Sequence, residues 1–391
     1  MQTISLYIHI PLCVKKCAYC DFASFSGRMA QAERYVSAVC REIRAQAAFF
    51  GRRAVRTVFL GGGTPTLLSG AQVQRLMDCV RDCFDLLPDA ESTMEGNPGT
   101  LTTGNLRAYR AAGINRLSLG VQSLDDGLLA AIGRIHTAQD AQKAVQMARD
   151  AGFDNINLDL MYGLPGQSAA QWADTLERAI ALAPEHLSCY SLILEEGTKL
   201  FDDIAAGRGA LLPDEDELDE MDALTLRLTR ENGYVRYEVS NFAKPDRACR
   251  HNIVYWECLP YLGMGLNAHS DMDGKRFYNP ADWEAYLQMA ESDCLQRESE
   301  GEGGRESRMF ERMMMGLRQV CGVDDTRFTR DFGVSARSVW PQTLGEMHEK
   351  ALIAFNKERI ALTGRGMQVM NGVLVHLMQE SEAAREPEQA Q

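Results

Sequence analysis

Three cysteines close to the start of the chain, Cys13, Cys17 and Cys20, constrain the fold and the chemistry of this sequence more than any other feature. Their spacing is Cys-x3-Cys-x2-Cys, and the next cysteine along the chain is Cys40. Pro11 ends the preceding strand-like segment and favours a turn in which the three sulfurs meet. Three thiolates can hold three irons of a [4Fe–4S] cluster and leave the fourth open to an external ligand, whereas four cysteines usually form a closed electron carrier.

A zinc site and a disulfide framework both agree less well with the sequence around these cysteines. A zinc site usually combines two Cys-x2-Cys or Cys/His pairs, and no second pair accompanies this one. A disulfide framework is typical of short secreted chains, whereas this chain has 391 residues, 11 cysteines and no signal-peptide pattern. We therefore interpret the three cysteines as an iron–sulfur site.

Length and charge limit the classes of function. A chain of 391 residues predicts two domains. The net charge of −13 argues against nucleic acid as a partner, because a broad basic surface is missing from the sequence. No apolar run reaches the length of a transmembrane helix. Eleven cysteines without a secretion signal, and the oxygen sensitivity of exposed iron–sulfur centres, predict a cytoplasmic protein.

Strand and helix patterns alternate six times through the first 240 residues, which are predicted to form one domain. Such repetition indicates parallel strands connected by helices. Six units are fewer than the eight of a closed (β/α)8 barrel, so an open partial barrel and a doubly wound sheet remain as alternatives. The predicted strands are residues 6–10, 57–60, 92–95, 116–119, 155–161 and 187–194.

The second part of the chain has a different pattern. Residues 244–280 are loop-like and rich in aromatic side chains, and we interpret 241–280 as a connecting segment. Residues 281–379 contain short helical patterns. They also contain a predicted hairpin, formed by 359–363 and 368–370 around a glycine turn, which together are typical of a winged-helix-like domain. The Glu- and Ala-rich tail, 380–391, is predicted to be flexible.

Polar residues and glycines recur where the predicted strands end, and ligand sites of parallel α/β folds lie at that edge. Each residue is also compatible with an ordinary structural role. Glycine runs are usually turns, an acid in an apolar strand can be neutralised by a basic side chain, and amides and arginines are common on surfaces. The candidates are Tyr7, Gly62, Gly63, Thr64, Glu95, Gln122, Arg134 and Asp159.

Taken together, the motifs resemble the coproporphyrinogen-oxidase-like branch of the radical S-adenosylmethionine (SAM) superfamily, over nearly the whole chain. They are Tyr-x-His-x-Pro-x-Cys, Gly-Gly-Gly-Thr-Pro, Glu-x-Asn-Pro, Gly-Val-Gln-Ser, Gly-Arg-x-His and Asp-Leu-Met-Tyr-Gly-Leu-Pro-Gly-Gln. The resemblance implies an α/β fold: a partial (β/α)6 radical SAM barrel with a C-terminal helical, winged-helix-like domain.

The resemblance also implies cofactors. Cys13, Cys17 and Cys20 would bind the [4Fe–4S] cluster, and the amino and carboxylate groups of SAM would chelate the open iron. An electron from the cluster then cleaves SAM to a 5′-deoxyadenosyl radical in that superfamily. The eight candidate residues at the strand ends would contact SAM, and His9 would donate or accept a hydrogen bond close to the cluster.

Within this branch the sequence resembles the HemW-type heme chaperones more than the oxygen-independent coproporphyrinogen III oxidases. A resemblance to the oxidases would imply a further cysteine at the position where this chain has Phe22. It would also imply a substantial N-terminal extension, whereas only 12 residues precede Cys13 here. The chaperone group is marked by His-Asn-x-x-Tyr-Trp, which occurs here with His251, Tyr255 and Trp256. Histidine is a common axial ligand of heme iron, and aromatic rings can stack on a porphyrin.

The resemblance therefore implies a cytoplasmic heme chaperone with three cofactors: a [4Fe–4S] cluster, SAM and heme. It would deliver heme to apo-hemoproteins, including respiratory subunits of the inner membrane. The chaperone would then act peripherally at that membrane, and it could work as a homodimer. Radical decarboxylation of coproporphyrinogen III is the alternative function. Whether SAM is cleaved, and hence whether the chain is an enzyme, stays open at this point.

Overall fold

The predicted alternation of strands and helices is present in the computed structural model of the chain, which describes residues 3–292, 298–299 and 304–383. All six strands predicted for the first 240 residues exist. Several are longer than predicted. The third spans Asp85–Gly96 instead of 92–95, because its first residues, which are largely exposed, also pair with β4, and the apolar run of the sequence does not reach them.

The secondary structure has the following bounds. The strands are β1 (Ile4–Ile10), β2 (Leu12–Cys13), β3 (Phe25–Ser26), β4 (Ala54–Gly62), β5 (Asp85–Gly96), β6 (Arg116–Gln122), β7 (Ile156–Tyr162), β8 (His186–Ser191), β9 (Val235–Arg236), β10 (Asn241–Ala243), β11 (Tyr261–Met264), β12 (His269–Met272), β13 (Lys275–Tyr278), β14 (Glu298–Ser299), β15 (Val323–Asp324), β16 (Ile353–Phe355) and β17 (Arg359–Leu362). The α-helices are α1 (Ala32–Phe50), α2 (Gly70–Cys83), α3 (Thr103–Ala111), α4 (Asp126–Ala131), α5 (Ala138–Asp150), α6 (Ala169–Ala181), α7 (Lys199–Ala205), α8 (Glu215–Glu231), α9 (Arg250–Trp256), α10 (Trp283–Glu291), α11 (Arg305–Gly316), α12 (Asp325–Phe332), α13 (Ala336–Val339), α14 (Pro341–Glu349), α15 (Gly364–Gln368) and α16 (Met370–Ala383).

Six parallel strands form the centre of the large sheet, in the order β1-β4-β5-β6-β7-β8. This order follows the chain without a reversal, which is the winding of a barrel and not of a doubly wound sheet. Strand β11 adds in parallel on the other side of β1, and β12, β13 and β14 continue the sheet in antiparallel pairs. All six central strands therefore end at the same edge.

Strand β1 shows how the sequence positions the core and the site. Its apolar residues Leu6, Ile8 and Ile10 are fully buried on one face, whereas Tyr7 and His9 share the opposite face. Both faces of the strand are covered, as is usual in parallel sheets. Helix starts are specified locally as well, since Ser69 accepts a hydrogen bond from the backbone of Gln72 and forms the capping box of α2.

The prediction that residues 244–280 are loop-like is wrong. The segment contains helix α9 and strands β11, β12 and β13. These strands are four residues long. Strand β11 pairs with β1, β12 with β11 and β13 with β12, and local sequence patterns do not report such tertiary pairing. Gly263 allows the close approach of β11 and β12, because a Cβ there would lie 2.1 Å from the His269 carbonyl oxygen.

Two compact units are distinguished among the described residues. The first contains residues up to 235, 242–251 and 260–299, and the second contains 236–241, 252–259 and the described residues from 304 onward. The second unit has its own core of large apolar side chains, including Met313, Phe328 and Trp340. Its three-stranded antiparallel sheet has the order β15-β17-β16. The domain boundaries predicted at 240 and 280 stay a prediction.

The predicted hairpin of 359–363 with 368–370 is wrong, because β17 pairs with β16 and β15. Residues after the glycine turn form helix α15, whose N-terminus is capped by the Thr363 hydroxyl accepting from Gly366 N–H at 3.0 Å. The last helix, α16, reaches Ala383, four residues into the predicted tail 380–391, and 384–391 lie outside the described residues. Over the described part of the chain, no helix combines the length and the apolar character needed to cross a bilayer.

Candidate functional site

A cavity of about 340 Å³ lies where the central strands end, and most of the predicted site residues line it. Three cysteines, two glycines, two acids and an arginine come together there from five separate segments of the chain. This confirms the expectation that residues at successive strand ends share one location. The predicted residues in the wall are Cys13, Cys17, Cys20, Gly62, Gly63, Thr64, Glu95, Gln122, Arg134 and Asp159.

The cysteine loop is held by the protein on both sides. The pairing of β2 with β3 closes the loop into a small two-stranded sheet, and Cys13 Sγ lies 3.6 Å from Thr64 Oγ1. Arg134 Nη1 donates to Cys17 Sγ at 3.5 Å. All three thiols are free and partly exposed toward the cavity. Each thiolate ligand of a cubane binds a different iron, so this donor set fits a [4Fe–4S] cluster without meeting at a single point.

The glycine run is explained first by close packing around the cysteine loop. A Cβ on Gly62, whose φ is +108°, would lie 2.3 Å from the His9 ring. A Cβ on Gly63 would lie 2.7 Å from the Leu12 carbonyl oxygen. Backbone N–H groups of Gly63 and Thr64 donate to the carbonyls of Ile10 and Leu12 at 2.9 and 2.7 Å. The glycines therefore bring β4 against the loop and leave open space above it.

Two carboxylic acids form the inner wall of the cavity. Glu95 accepts a hydrogen bond from Gly62 N–H at 2.9 Å, and burial together with the negative charge of Asp159 raises the pKa of Glu95 to about 7. Asp159 accepts from the Ser118 hydroxyl at 3.0 Å and from the Asn157 amide at 2.8 Å, and burial raises its pKa as well. A cationic ligand would favour the ionised form of both acids.

Arg134 and Gln122 also line the cavity. Arg134 Nη2 donates to the Gly120 carbonyl, but its Nε is buried and has no hydrogen-bond partner. An orphaned buried donor in a polar cavity indicates a missing acceptor. Gln122 has a φ of +65°, an unusual backbone conformation for a residue with a side chain, and such positions cluster at functional sites. This wall fits a ligand that carries a carboxylate or a hydroxyl group.

Tyr7 and His9 lie behind the glycine run. His9 Nε2 is 2.8 Å from the Ala23 carbonyl, which can only accept, so Nε2 carries the proton and Nδ1 accepts from the Tyr7 hydroxyl at 2.9 Å. Burial lowers the pKa of His9. The pair therefore supports the segment that follows the cysteines. Tyr7 is not among the residues that line the cavity, and its contact with SAM stays a prediction.

Several residues of the cavity wall were missed by the sequence reasoning. Ser118 alternates with buried leucines on β6, and Asn97 directly follows Glu95 and Gly96 at the end of β5, so strand periodicity could have found both. Lys16 and Tyr190 carry no comparable signal, because they lie in irregular or exposed segments. The complete set of missed residues is Lys15, Lys16, Tyr19, Phe22, Ser24, Gly96, Asn97, Ser118, Gly120, Met161 and Tyr190.

The predicted heme-binding motif lies on helix α9, which begins in the first unit and ends in the second. His251 is 1% exposed, its Nδ1 is 2.7 Å from Thr57 Oγ1, and its ring stacks on Phe59 with centroids 5.0 Å apart. Burial lowers the pKa of His251 to about 3. The helix N-terminus is capped by Glu91, which accepts from the backbone of His251 at 3.1 Å. His251 thus anchors α9 in this structure.

Tyr255 and Trp256 are partly buried residues of the second unit. Neither they nor His251 are among the residues lining the cavity with the cysteines. A heme contact of these three residues stays a prediction.

Comparisons with known proteins agree with this geometry. Residues 7–179 match the family model of the radical SAM superfamily, and residues 305–369 match that of the HemN C-terminal domain. A Bacillus subtilis protein named heme chaperone HemW is 36% identical over 370 residues, which cover 94% of this chain and 97% of that protein. An Escherichia coli protein of the same name is 43% identical over 271 residues, covering 69% of this chain and 70% of that protein. Among solved structures, coproporphyrinogen III oxidase (HemN) from Escherichia coli, described as a radical SAM enzyme, is similar with a TM-score of 0.83 and 26% identity, covering 96% of this chain and 90% of that one.

Proposed function

The chain belongs to the HemW family of the radical SAM superfamily, and from this we propose that it is a heme chaperone that delivers heme to apo-hemoproteins. The predicted α/β radical SAM fold with a C-terminal helical domain is confirmed by the likeness to the HemN structure. The observation that carries the proposal is the joint presence of the three-cysteine cavity and a full-length similarity to proteins named heme chaperones.

The cofactors of the superfamily have a place in the observed cavity. Cys13, Cys17 and Cys20 would hold the cluster, and Gly62, Gly63, Thr64, Glu95, Gln122, Arg134 and Asp159 would surround SAM. When bound, the cluster supplies an open iron and one electron to the sulfonium group of SAM. The protein's own part is electrostatic: the two acids favour the cationic end of a ligand, and Arg134 with its free Nε favours a carboxylate.

Coproporphyrinogen III oxidation is the second candidate function, favoured by the overall similarity to HemN. Against it stands Phe22, which occupies the position where the oxidase resemblance implies a further cysteine. Its side chain is 58% exposed beside the cysteine loop and cannot bind a metal. We therefore propose that the chain lacks this oxidase activity. Formation of protoporphyrinogen IX in an anaerobic assay with SAM and a reductant would overturn that proposal.

The finer points of the proposal concern partners and location. We propose respiratory hemoproteins of the membrane as recipients, a cytoplasmic chaperone that meets them at the membrane surface, and a homodimer as the working form. The net charge of −13 supports a partner other than nucleic acid. His251, Tyr255 and Trp256 are proposed to act in heme binding, with His251 acting through the position of α9 because its side chain is buried.

One experiment tests the function as a whole. The full chain is reconstituted anaerobically with iron and sulfide, titrated with SAM and then with heme, and mixed with an apo-hemoprotein while absorption spectra are recorded. We expect a cluster spectrum that responds to SAM, stoichiometric heme binding, and transfer of heme to the recipient. Replacement of the three cysteines by alanine should abolish the cluster spectrum, whereas the control Cys321→Ala, an exposed cysteine outside the cavity, should leave it unchanged. A heme-loaded protein that fails to release heme to any apo-hemoprotein would refute the chaperone function.

A further inference from the structure

A second, much smaller polar pocket lies in the second unit, beside the end of helix α9. Its volume is about 60 Å³. Trp256 and three arginines, Arg312, Arg327 and Arg359, contribute to its wall. A liquid water molecule takes up about 30 Å³, so the pocket has room for about two oxygen atoms. This size fits the head of a small polar group.

Two residues of the pocket wall, Trp256 and Arg312, each carry a nitrogen donor that has no acceptor. The indole Nε1 of Trp256 and the guanidinium Nε of Arg312 are both inaccessible to solvent, and neither makes a hydrogen bond. Buried donors are nearly always paired in folded proteins, and an unpaired one destabilises the fold. Two orphaned donors around one small polar space indicate that an acceptor group belongs there.

The remaining charges of the pocket are already engaged with one another. Arg327 Nη1 donates to Glu257 at 3.0 Å, and Arg312 Nη2 lies 3.5 Å from Asp331. Asp324, also in the wall, accepts from the backbone N–H of Arg327 at 2.9 Å. Two of the three guanidinium groups are thus paired with carboxylates, which leaves the two free donors as the groups that would select a ligand.

Arg359 is anchored at the pocket by the protein backbone. Its Nη1 donates to the carbonyl of Gly322 at 3.1 Å. A guanidinium group carries five N–H donors, so Arg359 keeps further donors for a ligand. With Trp256 and Arg312 it completes a set of donors from three different elements of the second unit.

We propose that this pocket binds a carboxylate group, one oxygen accepting from Trp256 Nε1 and the other from Arg312 Nε, and that the carboxylate is a propionate of heme. A carboxylate is an acceptor-only group with two oxygens, and its hydrogen bonds to a guanidinium are strong. The heme assignment deepens the proposed function and rests on it, whereas the carboxylate site itself does not. Trp256 belongs to the motif proposed for heme, so its indole serves as a donor to the edge of the porphyrin.

The pocket is tested first without heme. The chain has 4 tryptophans, so its ¹H–¹⁵N spectrum contains few indole signals, and Trp256→Phe identifies the one of interest. We expect this signal to shift saturably as sodium propionate is added to the wild-type chain, and the affinity to fall at least tenfold in Arg312→Met. Arg365→Met, an exposed arginine of α15, is the matched control and should leave the titration unchanged. A signal that does not move, or moves equally in Arg312→Met, means that the pocket holds only water and overturns the proposal.

The identity of the carboxylate is tested with heme and heme dimethyl ester, in which both propionates are blocked. We expect the full chain to bind heme at least tenfold more tightly than the ester, and Trp256→Phe and Arg312→Met to remove this difference. Circular dichroism confirms folding, and Trp256→Phe, which keeps an aromatic ring, decides the matter if Arg312→Met fails to fold. Equal binding of heme and its ester overturns the propionate assignment while leaving the chaperone function intact. Absence of any heme binding refutes the proposed function, and the propionate titration still decides the site.

Discussion

Glu95 predicts a pH dependence of stability that can be traced to one side chain. In the protein without its cofactors, this acid is held in the cavity wall near Asp159, with a pKa of about 7 instead of the usual 4.5. The perturbation is Glu95→Gln, which keeps the shape of the side chain and an oxygen to accept from Gly62 N–H, but removes the charge. The difference between variant and wild type isolates this group from the rest of the chain.

The sign and the size follow from proton linkage. Below pH 4.5 the carboxyl is protonated in both the folded and the unfolded chain, so its ionisation contributes nothing. Between pH 4.5 and 7 the unfolded chain loses the proton first, and the free energy of unfolding of the wild type falls with rising pH. Above pH 7 the loss is complete and amounts to about 3 kcal/mol, at 1.36 kcal/mol for each pH interval between the two pKa values.

Urea denaturation of the cofactor-free protein at pH 5 and pH 8 measures this effect. We expect Glu95→Gln to be more stable than the wild type by about 3 kcal/mol at pH 8, and by a much smaller amount at pH 5. The matched control is Glu177→Gln, an exposed acid of helix α6, which should change neither value. A Glu95→Gln protein whose advantage is the same at both pH values would refute the assignment of a raised pKa to Glu95.

Three further predictions concern packing and binding. Gly63→Ala places a Cβ 2.7 Å from the Leu12 carbonyl oxygen, so the reconstituted protein should contain less iron and sulfide. The control Gly104→Ala, whose Cβ would have no neighbour within 4 Å, should bind iron and sulfide as the wild type does. Glu42→Leu removes the carboxylate that accepts from three buried donors: Gly265 N–H, the Asn279 amide and the Tyr286 hydroxyl. It should lower the free energy of unfolding, measured by urea denaturation, by about 4 kcal/mol, and a loss under about 1 kcal/mol would contradict the network. Ser69→Ala removes the capping box of α2 and should lower the free energy of unfolding by about 1 kcal/mol in urea denaturation. An unchanged urea midpoint would argue against the cap.

The barrel and most of the wall of its cavity could be predicted from the sequence because both depend on local signals. Apolar runs mark buried parallel strands, and polar residues such as Glu95 and Asp159 interrupt them where the strands end. Helix starts carry their own caps, as at Ser69. Once the strands are known to be parallel, the topology alone brings these residues to one edge. The cysteine spacing then predicts a cluster at this edge.

The rest depended on contacts between distant parts of the chain. The strands from Tyr261 to Tyr278 are short and depend on pairing with one another and, through β11, with β1. His251 was predicted from its motif as a residue that meets heme, but its burial is set by Thr57, Phe59 and Glu91, which lie about 160–200 residues earlier in the chain. No local pattern distinguishes a histidine that anchors a helix from one that is accessible. The predicted winged-helix hairpin is wrong for a similar reason. Gly366 packs directly against the Leu352 carbonyl, a contact within the tertiary structure, and the segment around it is helical.

The small β2–β3 ladder that closes the cysteine loop has a consequence for how the protein matures. Because backbone pairing shapes the loop, the polypeptide itself restricts the three thiols, and less conformational entropy is lost when they bind a cluster. Classical zinc fingers, in contrast, take their shape only with the metal.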